Sequence, residues 1–357
     1  MAEIKQIKVE NTIYDIKQKG VEINDGEATL SDGQLAIGSS SNAAGSYTMA
    51  IGSSATAAGV GAHAIGFHAN AVTGAMAIGS SASAAEGSIA FGPAATTTST
   101  GGFAIGYQAK ATGVYAHAIG YNSNSTGVGA IAVGYNTQAT GNYSTVFGSI
   151  AKASGQYSIG IGYQARSNND YDMAIGYCVS ATGGSSVAIG RSAETKESSS
   201  IAIGSYSLAN GNAATAVGYN SKATGNGSAA FAGGLASGIC ALGVGFMATA
   251  CGMDSIAIGD ATKSYTDYDM AIGSQAEATG YGAIALGCQA KAIGVGSGIT
   301  GSVAIGSLAL ASACSVAIGP GATANGTNAG SVAIGFKTCA GTGSQGIAIG
   351  QETYGDK

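Results

Sequence analysis

The sequence predicts an all-β chain in which a parallel β-roll, a solenoid of 14-residue turns, follows a small N-terminal β module. Three observations support this prediction: 61 of the 357 residues are Gly, only 2 are Pro, and a short motif that ends in Gly recurs along the chain. Charged residues make up 9 % of the chain, against about a quarter in ordinary globular domains. Abundant Gly and Ser also occur in disordered low-complexity chains. The regular spacing of the repeat, however, indicates a folded structure.

The N-terminal module is predicted over residues 1–33. These residues carry 11 of the 33 charged side chains of the chain, which has 14 Lys and Arg plus 19 Asp and Glu. Polar and β-branched residues mix in EIKQIKVENTIYDIK, as is typical of short strands. The module lacks the apolar run of a secretory signal. No window elsewhere holds the roughly 18 apolar residues of a membrane-spanning helix.

The β-roll is predicted over residues 34–350, followed by a tail at 351–357. The motif Ala-Ile-Gly or a close variant returns in steps of 13 or 14 residues, with its Gly at Gly38, Gly52, Gly66, Gly79, Gly92, Gly106, Gly120, Gly134, Gly148, Gly162, Gly176, Gly190, Gly204 and Gly218. Small residues follow three and five places after this Gly, and a second Gly often follows seven places after it. We therefore predict two short strands and two Gly-containing corners in each turn.

Successive side chains of a strand point to opposite faces, so the Ala and the Ile of the motif belong to different faces. We expect the Ile face to fill the interior of the coil and the Ala face, as in Ala174 and Ala188, to point outward. An outward face that stays small and apolar needs a covering. A neighbouring copy of the chain is the simplest one.

Stretches such as YSIGIGYQARSNNDYDMAIG (157–176) and SSVAIGRSAETKESSSIAIG (185–204) resemble the head repeats of trimeric autotransporter adhesins, the YadA-like left-handed parallel β-roll. The resemblance covers residues 34–350. It implies a homotrimer of parallel rolls that serves adhesion to a host surface.

We expect no secretion signal, coiled-coil stalk or membrane barrel of that family in this protein, and its opening AEIKQIKVENTIYDIK resembles the N-terminus of some phage tail and baseplate proteins. We therefore expect a phage tail fibre or receptor-binding protein that is assembled in the host cytoplasm and carried on the virion. Residues 1–33 would bind a tail or baseplate protein. A purely structural spacer fibre and a bacterial surface adhesin head are the alternatives.

Tyrosine columns are the predicted receptor-binding surface. One column directly follows the strand Gly and includes Tyr107, Tyr121, Tyr135, Tyr163 and Tyr177; a second, nine places after that Gly, includes Tyr47, Tyr115, Tyr143, Tyr157, Tyr171 and Tyr268. With turns about 4.8 Å apart, such columns form aromatic ladders. These ladders suit contact with flat sugar faces, or they only stack on one another to stabilise the roll.

Two corners share an Asp-Tyr-Asp sequence, Asp170-Tyr171-Asp172 and Asp267-Tyr268-Asp269, where Asn169 and Thr266 replace the second Gly. Because the carboxylates can accept hydrogen bonds from sugar hydroxyls, these residues join the predicted receptor-binding set.

Other functions have little support in the sequence. The net charge of −5 argues against nucleic-acid binding. The 12 acids after residue 33, the 19 acids of the chain less 7 before it, are interpreted as solvated corner charges, so no enzymatic activity, cofactor or metal is predicted. Six scattered Cys are expected as reduced thiols. His63 and His117 belong either to a packed layer or to rings of three around an axis. An interrupted Thr column argues against ice binding.

Overall fold

The computed structural model describes residues 6–9, 12–17, 20–23, 28–31, 33–294, 301–325, 330–341 and 346–355. Every regular element in these ranges is a β-strand. The chain divides into two compact units, Met1–Ile175 and Gly176–Lys357.

The first unit begins with four antiparallel strands, Gln6–Val9, Thr12–Lys17, Gly20–Ile23 and Ala28–Ser31, each paired with the next. The fourth strand pairs antiparallel with Gln34–Ile37, where Leu30 lies opposite Leu35. All later pairings in the described parts of the first unit are parallel. The change in pairing falls beside the domain boundary that the sequence predicts at residue 33.

The roll of the first unit has two strands in each turn, one in each of two parallel sheets. The strands of the first sheet are Gln34–Ile37, Met49–Ile51, His63–Ile65, Met76–Ile78, Ile89–Phe91, Phe103–Ile105, His117–Ile119, Ile131–Tyr135, Thr145–Ser149, Ile159–Ile161 and Met173–Ile175. The strands of the second sheet are Asn42–Ala43, Thr56–Ala57, Asn70–Ala71, Ser83–Ala84, Thr96–Thr97, Lys110–Ala111, Asn124–Ser125, Gln138–Ala139, Lys152–Ala153 and Arg166–Ser167.

The second unit repeats this arrangement. Its first sheet contains Val187–Ile189, Ile201–Ile203, Thr215–Val217, Ala229–Phe231, Leu242–Val244, Ile256–Ile258, Met270–Ile272, Ile284–Leu286, Val303–Ile305, Val316–Ile318, Val332–Ile334 and Ile347–Ile349. Its second sheet contains Ser180–Ala181, Glu194–Thr195, Leu208–Ala209, Lys222–Ala223, Leu235–Ala236, Thr249–Ala250, Lys263–Ser264, Glu277–Thr279, Lys291–Ile293, Leu310–Ser312, Thr323–Asn325, Cys339–Ala340 and Tyr354–Gly355.

The register follows the sequence repeat. Ile159 pairs with Met173 and Ile161 with Ile175, which places equivalent residues of successive turns side by side at a spacing of 14. The prediction of a parallel β-solenoid with two short strands and two corners in each 14-residue turn is confirmed.

The assignment of the two strand faces was wrong, because Ala points inward and Ile points outward. Ala174 and Ala188 have no exposed surface, whereas Ile37 is 40 % and Ile203 37 % exposed. Four small side chains fill each turn, at the positions four and two before the strand Gly and three and five after it. The two sheets lie so close together that Ala and Ser fit between them and Ile does not.

A larger inward residue needs compensation in the neighbouring turn. Val146 is one of the two largest completely buried side chains among the described residues, at a position that Ala usually occupies. Its partner in the next turn is Gly160, which has no side chain and so leaves space for the larger Val146 side chain. The added volume of Val146 is therefore balanced in the neighbouring turn, as expected for a close-packed protein core.

The two glycines of a turn serve different purposes. The strand Gly has a left-handed backbone, as at Gly134 with φ of 134°. The second Gly is required by crowding, because a Cβ added to Gly141 would lie 1.9 Å from the carbonyl oxygen of Gly155 in the next turn. Both corners thus favour Gly, although the second corner holds Asn169 or Thr266 in two of the turns.

Candidate functional site

The outer surface of the first sheet is apolar. The residues three and one places before each strand Gly point outward, and most are Ile, Val, Met, Leu or Phe. Phe91 is 50 % and Phe147 42 % exposed. The outward residues of the second sheet are instead mainly polar or charged, as at Lys110 and Lys152. Exposed apolar surface of this extent marks an interaction face.

One tyrosine ladder runs along three successive turns of the first unit. Tyr107, Tyr121 and Tyr135 stack with ring centroids 5.2 Å apart and interplanar angles of 15° and 11°. Each ring is about half exposed. Because the rings face each other, the ladder presents ring edges and phenol hydroxyls to solvent.

The ladder ends after Tyr135, whose partner in the next turn is Ser149. Tyr163 follows one turn later, so it belongs to the same column but lies beyond the Ser149 gap. Tyr177 belongs to the second unit and is 54 % exposed. Within the first unit, Tyr107, Tyr121 and Tyr135 of this column therefore form one stacked ladder.

A second ladder lies at the corner between the second sheet and the next strand of the first sheet. The ring centroids of Tyr143 and Tyr157 are 5.2 Å apart and those of Tyr157 and Tyr171 are 5.4 Å apart, with the rings nearly parallel. All three residues have left-handed backbone, with φ between 56° and 60°. The side chain of Tyr143 covers Gly129 of the preceding turn, because a Cβ at Gly129 would lie 2.9 Å from the Tyr143 ring. Stacking and coverage offset the strain of a bulky left-handed residue.

The first carboxylate of each Asp-Tyr-Asp corner caps the preceding turn. Asp170 Oδ1 accepts a hydrogen bond of 2.8 Å from the main-chain N–H of Gln156, and Asp267 Oδ1 accepts one of 2.8 Å from Met253. Asn142 and Asn226 accept the equivalent bonds in other turns. An Asp or Asn eight places after the strand Gly is therefore a recurring cap.

The last carboxylate of each corner is completely buried, which corrects the expectation that it meets a sugar. Asp172 and Asp269 have no exposed surface. Asp172 Oδ2 accepts a hydrogen bond of 2.9 Å from the N–H of Asn169, and Asp269 Oδ2 accepts one of 2.9 Å from Thr266. These carboxylates satisfy the main chain at the corner where the second Gly is replaced. They are structural residues and lie beyond the reach of a ligand at the surface.

The tyrosines of these two corners stay exposed. Tyr171, which stacks on Tyr157 in the ladder of the first unit, is 58 % exposed. Tyr268, in the second unit, is 45 % exposed. Tyr268 meets Tyr281 edge to face at a centroid distance of 5.2 Å. The phenol of Tyr281 raises the pKa of Tyr268, and burial and the carboxylates of Asp254 and Asp267 raise it further.

The two strand histidines lie in the apolar outer face of the first sheet. His63 pairs in register with Met49 and Met76, and His117 packs against Phe103 with ring centroids 5.9 Å apart. Both histidines are partly exposed.

Candidate catalytic and metal sites are scarce in the described ranges. No cluster of three or more His, Cys, Asp or Glu there has the geometry of a metal site. The six cysteines, all within these ranges, form no disulfide bond with one another. Within the same ranges, no helix of the length and hydropathy needed to cross a membrane occurs.

Comparison with known proteins identifies the repeat. The model of the YadA head domain repeat (2 copies) matches residues 35–55, 85–109, 98–123, 125–149, 153–177, 181–207, 209–231, 236–262, 267–290 and 315–338, more than half of the chain. A similar solved structure is the collagen-binding domain of the Yersinia adhesin YadA, with 25 % identity over 38 % of this chain and 68 % of that chain and a TM-score of 0.31. No curated protein matches the chain. The match to the repeat model shows that the chain belongs to the YadA head-repeat family.

Proposed function

We propose that this protein is a non-enzymatic, homotrimeric fibre protein whose rolls associate through the outer face of the first sheet. The observation that carries the proposal is the column of large apolar side chains, such as Ile201 and Ile203, on that face. Parallel association of identical rolls around an axis covers this face in every turn. The resemblance of the repeats to trimeric adhesin heads supports three protomers.

The fibre attaches a phage to its host, with residues 1–33 bound to a tail or baseplate protein and the roll directed to the cell surface. The antiparallel pairing of residues 6–31 supports a separate role for this segment, because the roll pairs in parallel. In this function the protein is carried on the virion. A bacterial surface adhesin head is the alternative that the repeat family favours.

Recognition of a host glycan or protein uses ring edges and phenol hydroxyls. The exposed groups that remain for it are Tyr107, Tyr121, Tyr135, Tyr163, Tyr177, Tyr171 and Tyr268, with the outer carboxylate oxygens of Asp170 and Asp267. The stacked geometry of the ladders supports hydrogen bonding at the ring edges, because most ring faces are already covered.

A spacer fibre without receptor contact is the second candidate. It is favoured by the internal use of the predicted site residues, because the Tyr rings stack on one another and Asp170 caps the turn below it.

Adsorption to host cells separates the two candidates. The fibre with Tyr107, Tyr121, Tyr135, Tyr171 and Tyr268 all changed to Ala should remain trimeric in light scattering and should bind cells more weakly than the wild type. Equal adsorption of the two proteins would favour the spacer. Polysaccharide cleavage by the wild type would contradict a non-enzymatic role.

Incorporation into particles tests the N-terminal segment. A chain that begins at residue 34 should form the same trimer in solution but should be missing from purified virions. Normal incorporation of the shortened chain would place the tail-binding surface elsewhere.

A further inference from the structure

A groove of about 560 Å³ lies on the outer surface of the second sheet, within the second unit. It crosses four successive turns whose outward residues are Lys263, Glu277, Lys291 and Leu310, paired side by side in register. This surface faces away from the apolar columns of the first sheet. The groove therefore stays open when the first sheets of several rolls associate.

The groove carries one unbalanced positive charge. Lys291 Nζ lies 3.6 Å from Glu277 Oε2, so these two charges pair. Among the described residues, no carboxylate forms an ion pair with Lys263. An unpaired ammonium attracts a carboxylate or another anionic group to this place.

The rest of the lining supplies hydrogen-bonding amides and an apolar end. Gln289 Nε2 donates to Gln275 Oε1 at 3.1 Å, which leaves one N–H of Gln289, both N–H groups of Gln275 and the Gln289 carbonyl oxygen for other partners. Leu308 is 60 % exposed and lines the groove together with Leu310. Leucine at the outward position of Leu310 departs from the mainly polar outward surface of the second sheet.

We propose that this groove binds a carboxylated sugar chain. The Lys263 ammonium would pair with the sugar carboxylate, the amides of Gln275 and Gln289 would bind its hydroxyls, and the Leu308 side chain would pack on the apolar face of a pyranose ring. Adjacent turns repeat about every 4.8 Å, so consecutive sugar units meet consecutive turns.

This inference extends the proposed function by naming a ligand class, and it uses residues outside the tyrosine ladders. Sugar binding by the purified protein tests the groove directly, whereas cell adsorption tests host attachment. A fibre that binds cells but no carboxylated sugar would overturn the groove proposal and leave the proposed function intact. A fibre that binds the sugar but no cells would support the groove proposal and overturn the proposed host attachment.

The test is binding of the full-length protein to an array of sialylated, glucuronate-containing and galacturonate-containing glycans beside their neutral counterparts. Sialyllactose with lactose and tetragalacturonate with its methyl ester are matched pairs that differ in charge. We expect binding of a carboxylated probe and at least about tenfold weaker binding of its neutral counterpart. Equal binding within every pair, or no binding of any carboxylated probe, would overturn the proposal.

Variants then locate the site. Lys263→Gln should weaken binding about tenfold and Lys263→Arg should restore most of it, because the charge returns. Lys222→Gln is the matched control, since Lys222 occupies the same outward column between Leu208 and Leu235, outside the groove. Equal losses for the Lys263 and Lys222 variants would show a general charge effect and overturn the assignment. Tight binding of an oligoglutamate peptide would overturn the sugar proposal, because the ligand class would then be an acidic peptide.

Discussion

Replacing Asp269 tests the account of the Asp-Tyr-Asp corner. Its carboxylate accepts main-chain hydrogen bonds from Thr266 at 2.9 Å, Ala283 at 2.9 Å and Gly280 at 3.3 Å, and one from the Thr266 hydroxyl. Gly280 N–H also donates to Thr266 Oγ1 at 2.9 Å, and Ala283 N–H to the Gly280 carbonyl at 2.6 Å. Removing the carboxylate takes this acceptor from the Thr266 N–H and hydroxyl, whereas the N–H groups of Gly280 and Ala283 keep Thr266 Oγ1 and the Gly280 carbonyl as acceptors.

The magnitude follows from these bonds. A hydrogen bond to a charged group contributes about 1.5–3 kcal/mol, and the Thr266 N–H is only partly buried, so we expect Asp269→Ala to cost about 2 kcal/mol. Because each turn of a solenoid contacts only its neighbours, the loss should be local. Amide hydrogen exchange in peptides covering residues 259–287 should be about 30-fold faster.

A double substitution supplies the rescue. At the corner of the first unit with Gly155 and Ser158, the serine hydroxyl donates to the glycine carbonyl at 2.7 Å. Thr266→Gly combined with Asp269→Ser recreates this arrangement and should return exchange close to the wild-type rate. Asp254→Asn is the control, because Asp254 is exposed and its substitution removes a carboxylate outside the corner. Unchanged exchange in Asp269→Ala would refute the structural role of the buried carboxylate.

Three further substitutions and one titration test other parts of the structure. Ile203→Glu should yield folded monomers in light scattering, because a charge on the association face costs several kcal/mol in a covered interface; an intact trimer would contradict the proposed interface. Gly141→Ala should prevent correct folding around its corner, seen as protease sensitivity, since its Cβ would clash with Gly155. Tyr121→Ala should lower stability by about 1–3 kcal/mol by removing two stacks and should weaken near-ultraviolet dichroism. Tyr268 should ionise above pH 10 in an absorbance titration, and because its folded pKa is raised, its contribution to stability falls as pH rises through that pKa.

The repeat could be predicted from the sequence because it depends on spacing alone. Glycines at steps of 14 and small residues at fixed positions between them define turns, corners and register, and the structure pairs Ile159 with Met173 accordingly. The inward face could not be assigned from alternation, because both faces of the strand are apolar. Side-chain volume determines which face points inward. The Ala and Ser residues at the inward positions of the second sheet were the sequence signal that could have shown how narrow the interior is.

The candidate site was predicted only as columns. The 14-residue spacing places Tyr107, Tyr121 and Tyr135 in one row, but the mutual coverage of their ring faces depends on side-chain orientation. The prediction for Asp172 was wrong because it took every carboxylate of the Asp-Tyr-Asp corner to be accessible to a sugar. The position of Asp172, four before the strand Gly, usually holds Ser or Ala, as at Ser158, and that position points inward. The groove around Lys263 could not be predicted from the sequence, because its lining residues come from four different turns.

The alanine-sized interior explains why the two outer faces differ in chemistry. Ala and Ser bury little apolar area, so one roll gains little hydrophobic stabilisation from its own core. The large apolar residues must therefore stabilise the protein from outside, and Ile203 and its equivalents in the first sheet can do so when another protomer covers them. The outward positions of the second sheet do not need to be apolar for this purpose. Residues as different as Lys263 and Leu310 can therefore occupy them, and they change the surface without changing the fold. If the proposed association holds, we expect such rolls to differ in ligand while the association face stays constant.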